Sequence, residues 1–430
     1  MTTVTQQPAR RSGPSGSAVT AVPSCRFCAA PLRHTFVDLG MSPLCESFLP
    51  VDQLDRMEAF YPLHVRVCDR CWLVQLPEYV SGQEIFTEYA YFSSYADSWL
   101  AHARAYTAQM VDRFGLNAQS QVVEVGSNDG YLLQYFVQRG IPALGIEPAA
   151  NVAQAALERG VPTQVRFFGR ETARDLIGQG RRADLLAGAN VMAQVPDIND
   201  FVVGLKILLA PRGVITIEFP HLMRLVDGNQ FDTIYHEHFS YFSLTSVEKI
   251  FGAHGLSVFD VDELPTHGGS LRIYAKHDTD ATHPVTGELE ELRAREQQAG
   301  VNGLAYYASF GDRVKETKRK LLDFLVDARR RGKSIAGYGA PGKGNTLLNY
   351  CGIRTDFLDF TVDRNPYKHG RFTPGTHIPI YPTERIQQEK PDYVLILPWN
   401  LRDEIMSQHG YIRNWGGQFV IPIPELRVYR

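Results

Sequence analysis

This 430-residue chain has no apolar run approaching the ~18 residues of a membrane-spanning helix, so no span is expected. It has no charge excess either: 44 Lys and Arg stand against 47 Asp and Glu, a net charge of −3. Phosphate-backbone binding needs a clustered basic surface, which excludes nucleic acid as the main partner. The first 24 residues lack the apolar stretch of a secretory signal and are rich in Ser, Thr, Pro and Gly. They read as a disordered tail. Cysteine is nearly absent beyond residue 71, where Cys351 stands alone. A disulfide scaffold would spread its cysteines more evenly and would need an oxidising compartment. What remains, at 44% hydrophobic and 21% charged residues, is the composition of an ordinary globular protein, read as cytoplasmic and monomeric with about three domains.

Five of the six cysteines lie before residue 72. "CRFC" (25–28) and "CDRC" (68–71) each leave two residues between thiols, a spacing that aims both sulfurs at one tetrahedral Zn²⁺. Cys25, Cys28, Cys68 and Cys71 would close such a site and leave no position for water, so the zinc is expected to be structural. The stretch 29–67 allows a small β-rich insert. Cys45 can either replace a ligand or sit nearby as an ordinary apolar residue, and the second reading is preferred.

Residues 85–284 alternate short apolar runs with helical patterns. "QVVEVGSNDGYLL", "ALGIEPAANVAQAALERG", "ADLLAGANVMAQV" and "GVITIEFP" each read as a strand leading into a turn or helix, with "SLRIYAKH" as a late strand. Repeated βα units predict a parallel sheet with helices on both faces. A helical stretch over 285–331 then leads into "SIAGYGAPGKGNTLLNYCGI", "FTVDRNPYKHG" and "DYVLILPWN", the pattern of a second, smaller α/β unit over 285–430.

Ligands of open α/β sheets bind at the carboxyl ends of strands. "EVGSNDG" sits at such an end: Gly126 allows close backbone approach, and Glu124 and Asp129 bring negative charge. Asn128 lies between them. Glu147, 21 residues after Gly126 and followed by Pro148, ends the next strand as a ribose-binding acid would. A dinucleotide needs a bare helix N-terminus for its pyrophosphate. A carboxylate at the turn repels pyrophosphate and suits the cationic sulfonium of S-adenosylmethionine, which is therefore the expected cofactor.

"FDTIYHEHFSYFS" (231–243) flanks a glutamate with two histidines. Metal ligation, proton transfer and crowded core are all open to such a stretch. In extended chain His236 and His238 share a face; in a helix they diverge by about 200°. "GYGAPGKGN" (337–345) offers backbone N–H groups and Lys343 to an anion, and Tyr367 and Lys368 lie at the neighbouring junction "NPYKHG". Both suit a pyrophosphate. A redox dinucleotide is the rival occupant, since Gly337 to Gly344 spells G-x-G-x-x-G-x-G. Its partner acid would be Asp363, 26 residues on.

The cysteine pairs, "YFSSY", "EVGSNDGYLL", "IEP", "YHEHFSYFS", "THGGSLRIY", "GYGAPGKGNTLLNY" and "LPWN" occur in this order from Cys25 to the C-terminus. Together they resemble the S-adenosylmethionine-dependent C-methyltransferases of antibiotic deoxysugar pathways, such as the 3-C-methyltransferase of tetronitrose biosynthesis. The resemblance implies a zinc domain (25–84), a central class I methyltransferase domain (85–284) and a Rossmann-like C-terminal domain (285–430) that binds a nucleotide sugar. It implies a dTDP-4-keto-deoxysugar substrate, methylated at C3 through an enolate, with His238 as base, Tyr235 as its partner, Glu237 as an orienting group and Tyr89 as a further active-site residue. His236 is read as structural. Substrate contacts fall to Asn190, Gln194, Tyr338, Lys343, Tyr367 and Lys368. One departure matters: the family carries histidine where "NVMAQVPD" has Gln194, which can hydrogen-bond but cannot titrate. Gln194 is therefore assigned to positioning. The alternatives are a nucleotide-sugar ketoreductase, alone or as a second activity, and a nucleotide-sugar binder that has lost catalysis.

Overall fold

The computed structural model describes residues 22–85 and 92–430. Seven strands form the central sheet: Val122–Val125 (β1), Ala143–Glu147 (β2), Thr163–Val165 (β3), Ala183–Ala189 (β4), Leu209–Pro220 (β5), Leu256–Leu264 (β6) and Ser270–His277 (β7). Their order is β6-β7-β5-β4-β1-β2-β3, with β7 antiparallel to both of its neighbours. That is the order expected of a class I methyltransferase sheet. Every residue of β1 and β2 is buried, because helices cover both faces, and this is why both read as unbroken apolar runs. The strand order reverses between β1 and β4, so a crevice opens at their carboxyl ends.

Local chemistry sets the flanking helices. Asp97–Phe114 stops at Gly115, which takes the left-handed conformation (φ 63°) that only glycine adopts without strain. Asp197 caps Ile198–Leu208 by accepting from the Asp200 N–H at 2.9 Å. Leu244–Ala253 begins with a capping box between Ser243 and Ser246.

An antiparallel N-terminal sheet joins His34–Ser42, Tyr61–Val67 and Val74–Gln75 to Ser240–Tyr241, a strand from the middle of the chain. The C-terminal sheet runs Ile380–Tyr381, Phe360–Val362, Ile335–Tyr338, Tyr393–Ile396, Gln418–Ile421 and Arg427–Tyr429, parallel except for the last pair. Two cores tie the units together. Phe36, Leu63 and Val65 of the N-terminal sheet share one core with Val314, Leu321 and Leu325, which line one face of the helix Phe310–Arg330. Cys25, Cys68 and Leu73 share another with Val123, Ile146 and Phe219 of the central sheet. Each fully buried aliphatic or aromatic side chain contributes about 1.5–3 kcal/mol, so the N-terminal unit is welded to both α/β units.

The helical stretch expected over 285–331 is three helices, Gly287–Ala299, Leu304–Ala308 and Phe310–Arg330. Left-handed Gly300 (φ 84°) ends the first of them. That first helix buries Leu289 and Leu292 in the core of the central sheet, although it comes after the junction read at 284/285. Among the described residues no helix is long and apolar enough to cross a membrane.

Candidate active site

Two chain reversals of the same design hold the four cysteines. Ala29 N–H bonds the Cys25 carbonyl at 2.9 Å and Trp72 N–H bonds the Cys68 carbonyl at 3.0 Å. Ala29 and Trp72 are both left-handed, at φ 58° and 65°. A non-glycine residue held there costs about 1–3 kcal/mol, so packing and the knot itself must impose the turns. Cys25 Sγ lies 3.5 Å from Cys71 Sγ, and Cys28 Sγ 3.5 Å from Cys68 Sγ. All four sulfurs fall within 4.8 Å of one another. Tetrahedral zinc with Zn–S near 2.3 Å asks for S···S of roughly 3.8 Å, so the donor set fits the ion. Hydrogen bonds from Cys68 and then Cys71 hold the Cys25 thiol well below its ordinary value, while the Cys28 and Cys71 thiols are pushed up, Cys28 by burial and Cys71 by its bond to Cys25. Gln75 Nε2 donates to Cys25 Sγ at 3.1 Å and orients it from outside. Cys45 stands apart, with Sγ 3.7 Å from Glu237 Oε1, and burial pushes its thiol far up.

A cavity of about 420 Å³ lies at the carboxyl ends of the central strands. Gly126, Asn128, Glu147, Pro148, Asn190 and Gln194 are among the residues that line it. Gly126 turns the chain at φ 69°, where a Cβ would meet Val191 at 2.9 Å. Glu147 Oε2 accepts from Asn128 N–H at 2.9 Å and Oε1 from Ala149 N–H at 2.9 Å. Each oxygen keeps a lone pair for a ribose hydroxyl. Burial raises the Glu147 carboxyl, and those two amides pull it back. Volume and donor set fit an adenosyl ligand.

Glu124 and Asp129 stand differently from the sequence expectation. Glu124 is fully buried within β1, off the cavity wall, and burial raises its carboxyl far above the usual range. The Asp129 carboxylate is also fully buried, bound by Arg159 Nη1 at 2.8 Å and by the Ser94 hydroxyl. The acid that reaches the cavity from these turns is Glu147, and Asp129 instead anchors the Ser93–Tyr95 segment.

Asn190 on the cavity wall contacts His267, whose turn packs against Trp399 of the C-terminal unit. Between its first turn and the strand Ser240–Tyr241, the stretch 231–243 is neither helix nor strand. A 3₁₀ turn spans Phe231–Thr233, His238 N–H closes a turn on the Tyr235 carbonyl at 3.0 Å, and Phe239 N–H bonds the Ala193 carbonyl at 2.8 Å. The two histidines therefore part company. His236 turns to the N-terminal sheet, Nε2 lying 3.2 Å from the Pro62 carbonyl and the ring between Tyr61 and Tyr79. His238 packs on Tyr235 with ring centroids 4.2 Å apart. Burial drives its imidazole down to about 3; a hydrogen bond to the Thr233 carbonyl opposes this, and the nearby His267 and Lys343 add to it. His238 is thus a neutral imidazole with one nitrogen fixed on a carbonyl, so the other carries a lone pair.

Lys343 Nζ donates to Asn400 Oδ1 at 2.8 Å and lies 5.1 Å from the Trp399 ring centroid. Trp399 Nε1 donates to Asp232 Oδ2 at 2.7 Å. Burial raises the Asp232 carboxyl to about 6, against the pull of Lys343, and burial lowers Lys343 in turn. His267, left-handed at φ 53°, stands across from them with Nε2 3.0 Å from Asn190 Nδ2 and its ring 5.2 Å from that of Trp99.

Three family models match the chain in succession: "Putative zinc binding domain" over residues 25–86, "Methyltransferase domain" over 99–261 and "C-methyltransferase C-terminal domain" over 265–424. C-methyltransferase NovU of Streptomyces niveus is 37% identical over 410 residues, covering 95% of this chain and 97% of that protein. The chain belongs to the C-methyltransferase family. It is an S-adenosylmethionine-dependent C-methyltransferase with a zinc-binding domain at its N-terminus. Solved structures similar to it include magnesium protoporphyrin IX methyltransferase (ChlM) of Synechocystis PCC 6803 with bound SAM, at 14% identity and TM-score 0.35 over 46% of this chain and 99% of that one. A SAM-dependent methyltransferase of Anabaena variabilis matches at 13% identity and TM-score 0.36, over 47% and 99%.

The C-methyltransferase fold disposes of several residues expected at the substrate. Lys368 Nζ is buried between the Ala340 carbonyl at 2.8 Å and Glu46 Oε2 at 3.3 Å. The Tyr338 hydroxyl is tied to His409 Nε2 at 3.0 Å. The Gly-rich turn is filled by the protein itself: a Cβ at Gly339 would meet Pro398 at 2.6 Å, Ala340 N–H is taken by Asp363 Oδ2 at 2.7 Å, and Glu46 accepts from Gly342 N–H. With a carboxylate at that helix start, neither a sugar pyrophosphate nor a dinucleotide finds an open cradle there. Tyr367 remains at the surface, 58% exposed and stacked on Phe92 at 5.9 Å. Tyr89 lies outside the described residues. Reasoning from sequence misses His267, Asp232, Trp99 and Trp399. The signal for His267 is a histidine before two glycines, and Trp399 lies within the "LPWN" motif.

Proposed function

We propose that this enzyme methylates C3 of a dTDP-linked 4-keto-deoxysugar through an enolate, with His238 as the base. The keto group acidifies the neighbouring C–H, so removing that proton creates the carbon nucleophile. When bound, S-adenosylmethionine would supply an electrophilic methyl group on a sulfonium, and Asn190 and Gln194 are among the residues lining the cavity that would hold it. His238 takes the C3 proton on its free nitrogen while the Thr233 carbonyl holds the ring, and later releases that proton to solvent. Tyr235 packs on the imidazole, and Glu237, buried beside Cys45, orients the stretch. Gln194 positions the sugar by hydrogen bonding. Lys343 and Tyr367 are the C-terminal groups left for the anionic nucleotide. Burial does most to keep the proton off His238; pairing Lys343 with a diphosphate removes the positive neighbour that adds to it, so substrate binding itself makes the base stronger.

The observation that supports the reading best is a buried, neutral His238 on a segment hydrogen-bonded to the Ala193 carbonyl, next to the cavity-lining Gln194. Its test is transfer from a ¹³C-methyl donor to a dTDP-4-keto sugar, with the product carbon assigned by NMR. His238→Asn should abolish transfer while S-adenosylhomocysteine binding stays intact; near-wild-type turnover would sink the assignment.

A further inference from the structure

We propose that His267 is a second catalytic residue, donating the hydrogen bond that stabilises the enolate oxygen as the sugar is deprotonated. This rests on the enolate reading above and supplies the group that it leaves unassigned. A base alone makes a poor enolate, because charge develops on the carbonyl oxygen and needs a donor placed there in advance.

The geometry singles out His267. It is left-handed (φ 53°, ψ 22°), and so is Asn190 opposite it (φ 60°). Asparagine tolerates this conformation, but holding His267 there costs about 1–3 kcal/mol, and such strain gathers at functional sites. The turn leaves no freedom to relieve it: a Cβ at Gly268 would meet Trp399 at 2.6 Å, and one at Gly269 would meet Arg224 at 2.8 Å. The fold thus presses this imidazole into one place, between two residues of the cofactor cavity wall, Trp99 and Asn190, on a turn packed against Trp399.

Its hydrogen bonding sets its role. An amide Nδ2 can only donate, so the Asn190 contact makes His267 Nε2 an acceptor and leaves the ring proton on Nδ1. His267 is thereby a donor, whereas His238, with its proton on the Thr233 carbonyl, is an acceptor. Burial, with Lys343 next, lowers the His267 imidazole to about 4, so it stays neutral at working pH and does not compete for the sugar's proton. Beside it Asn190 Oδ1 is buried without a partner, an acceptor open to a neighbouring sugar hydroxyl. His267 itself is half-buried, beside the cavity-lining Asn190 and Trp99.

The test compares wild type, His267→Asn and His267→Gln for methyl transfer to a dTDP-4-keto sugar. It adds solvent-deuterium exchange at the sugar carbon with S-adenosylhomocysteine in place of donor. Asparagine tolerates the left-handed backbone but is too short to reach, and glutamine restores an N–H donor. His267→Asn should lower kcat and exchange by about 10²–10³-fold, with KM and S-adenosylhomocysteine affinity changed less than about threefold, and His267→Gln should recover at least about tenfold. A wild-type enzyme that exchanges and methylates while His267→Asn keeps kcat within about threefold overturns the role of His267 alone. So does a variant that loses affinity with kcat intact, or a glutamine no better than asparagine. A wild type that neither exchanges nor methylates the keto sugar overturns the enolate reading, and this proposal with it.

Discussion

Glu296 holds no substrate and lies on a helix remote from the cavity, yet the stretch carrying His238 is pinned by it. Its carboxylate is fully buried and accepts from His221 Nε2 at 2.7 Å, Leu244 N–H at 2.7 Å, Thr245 N–H at 2.8 Å and the Thr245 hydroxyl at 2.6 Å. Leu244 and Thr245 open the helix immediately after residues 231–243, so Glu296 satisfies two orphan donors of its first turn and complements its dipole. Burial alone would raise the carboxyl, but the bonds from His221 and Thr245 win and hold it below the ordinary value. Glu296→Ala leaves the His221 ring and the Leu244 N–H without a partner, each costing about 1–3 kcal/mol. Breaking a buried pair from one side costs about 3–5 kcal/mol in all. We expect a loss of about 4 kcal/mol for alanine. For glutamine, which keeps one accepting oxygen but turns an N–H toward Thr245, we expect about 2 kcal/mol. Urea unfolding followed by tryptophan fluorescence at pH 7 measures both. Because the folded carboxyl is depressed, its contribution is present above about pH 4.5 and is lost as pH falls through the folded value. A loss under about 1 kcal/mol for alanine, or a glutamine variant as stable as wild type, would refute the reasoning.

Zinc analysis should find one ion per chain; Cys68→Ser should lose it and unfold more readily, whereas Cys45→Ser should keep it, and equal zinc loss in both variants would contradict the four-cysteine assignment. Glu147→Gln should weaken S-adenosylhomocysteine binding by about 10–100-fold in calorimetry, or about 1.4–2.8 kcal/mol, because an amide is a weaker acceptor for the backbone and ribose. Asp129→Asn, which breaks only the Arg159 and Ser94 contacts, should leave affinity within about threefold; a loss matching that of Glu147→Gln would return Asp129 to the cofactor. Acid should destabilise the enzyme through His238, whose folded value of about 3 lies below the ordinary 6.5. The unfolded chain takes up this proton first, so stability falls from about pH 6.5 downward, by about 3 kcal/mol at pH 4. His238→Asn should flatten that slope by close to one proton, and an unchanged slope would show that the imidazole titrates normally in the folded enzyme.

Whatever depends on spacing along the chain was legible in the sequence. Cys-x-x-Cys twice, a glycine turn after a buried strand and an acid 21 residues later are local facts, and they lead directly to the zinc knot and the Gly126–Glu147 cavity. Properties that depend on contacts between distant segments were hidden. Asp129 and Glu147 both come after or at the ends of central strands, and only the presence of Arg159, 30 residues beyond Asp129, decides that one acid is neutralised while the other faces the cavity. The Gly-rich loop at 337–344 has the letters of a phosphate cradle, but Glu46, some 300 residues earlier, fills it. Lys368 reads as free positive charge for the same reason, since its counter-ion lies in another unit. His267 escaped notice because its chemistry comes from a strained turn meeting Asn190, 77 residues away. Periodicity along the chain fixes which face a side chain takes, but charge and protonation depend on which other face it meets. That is why the framework of this C-methyltransferase could be read in advance, while the assignment of acids and imidazoles within its crevice could not.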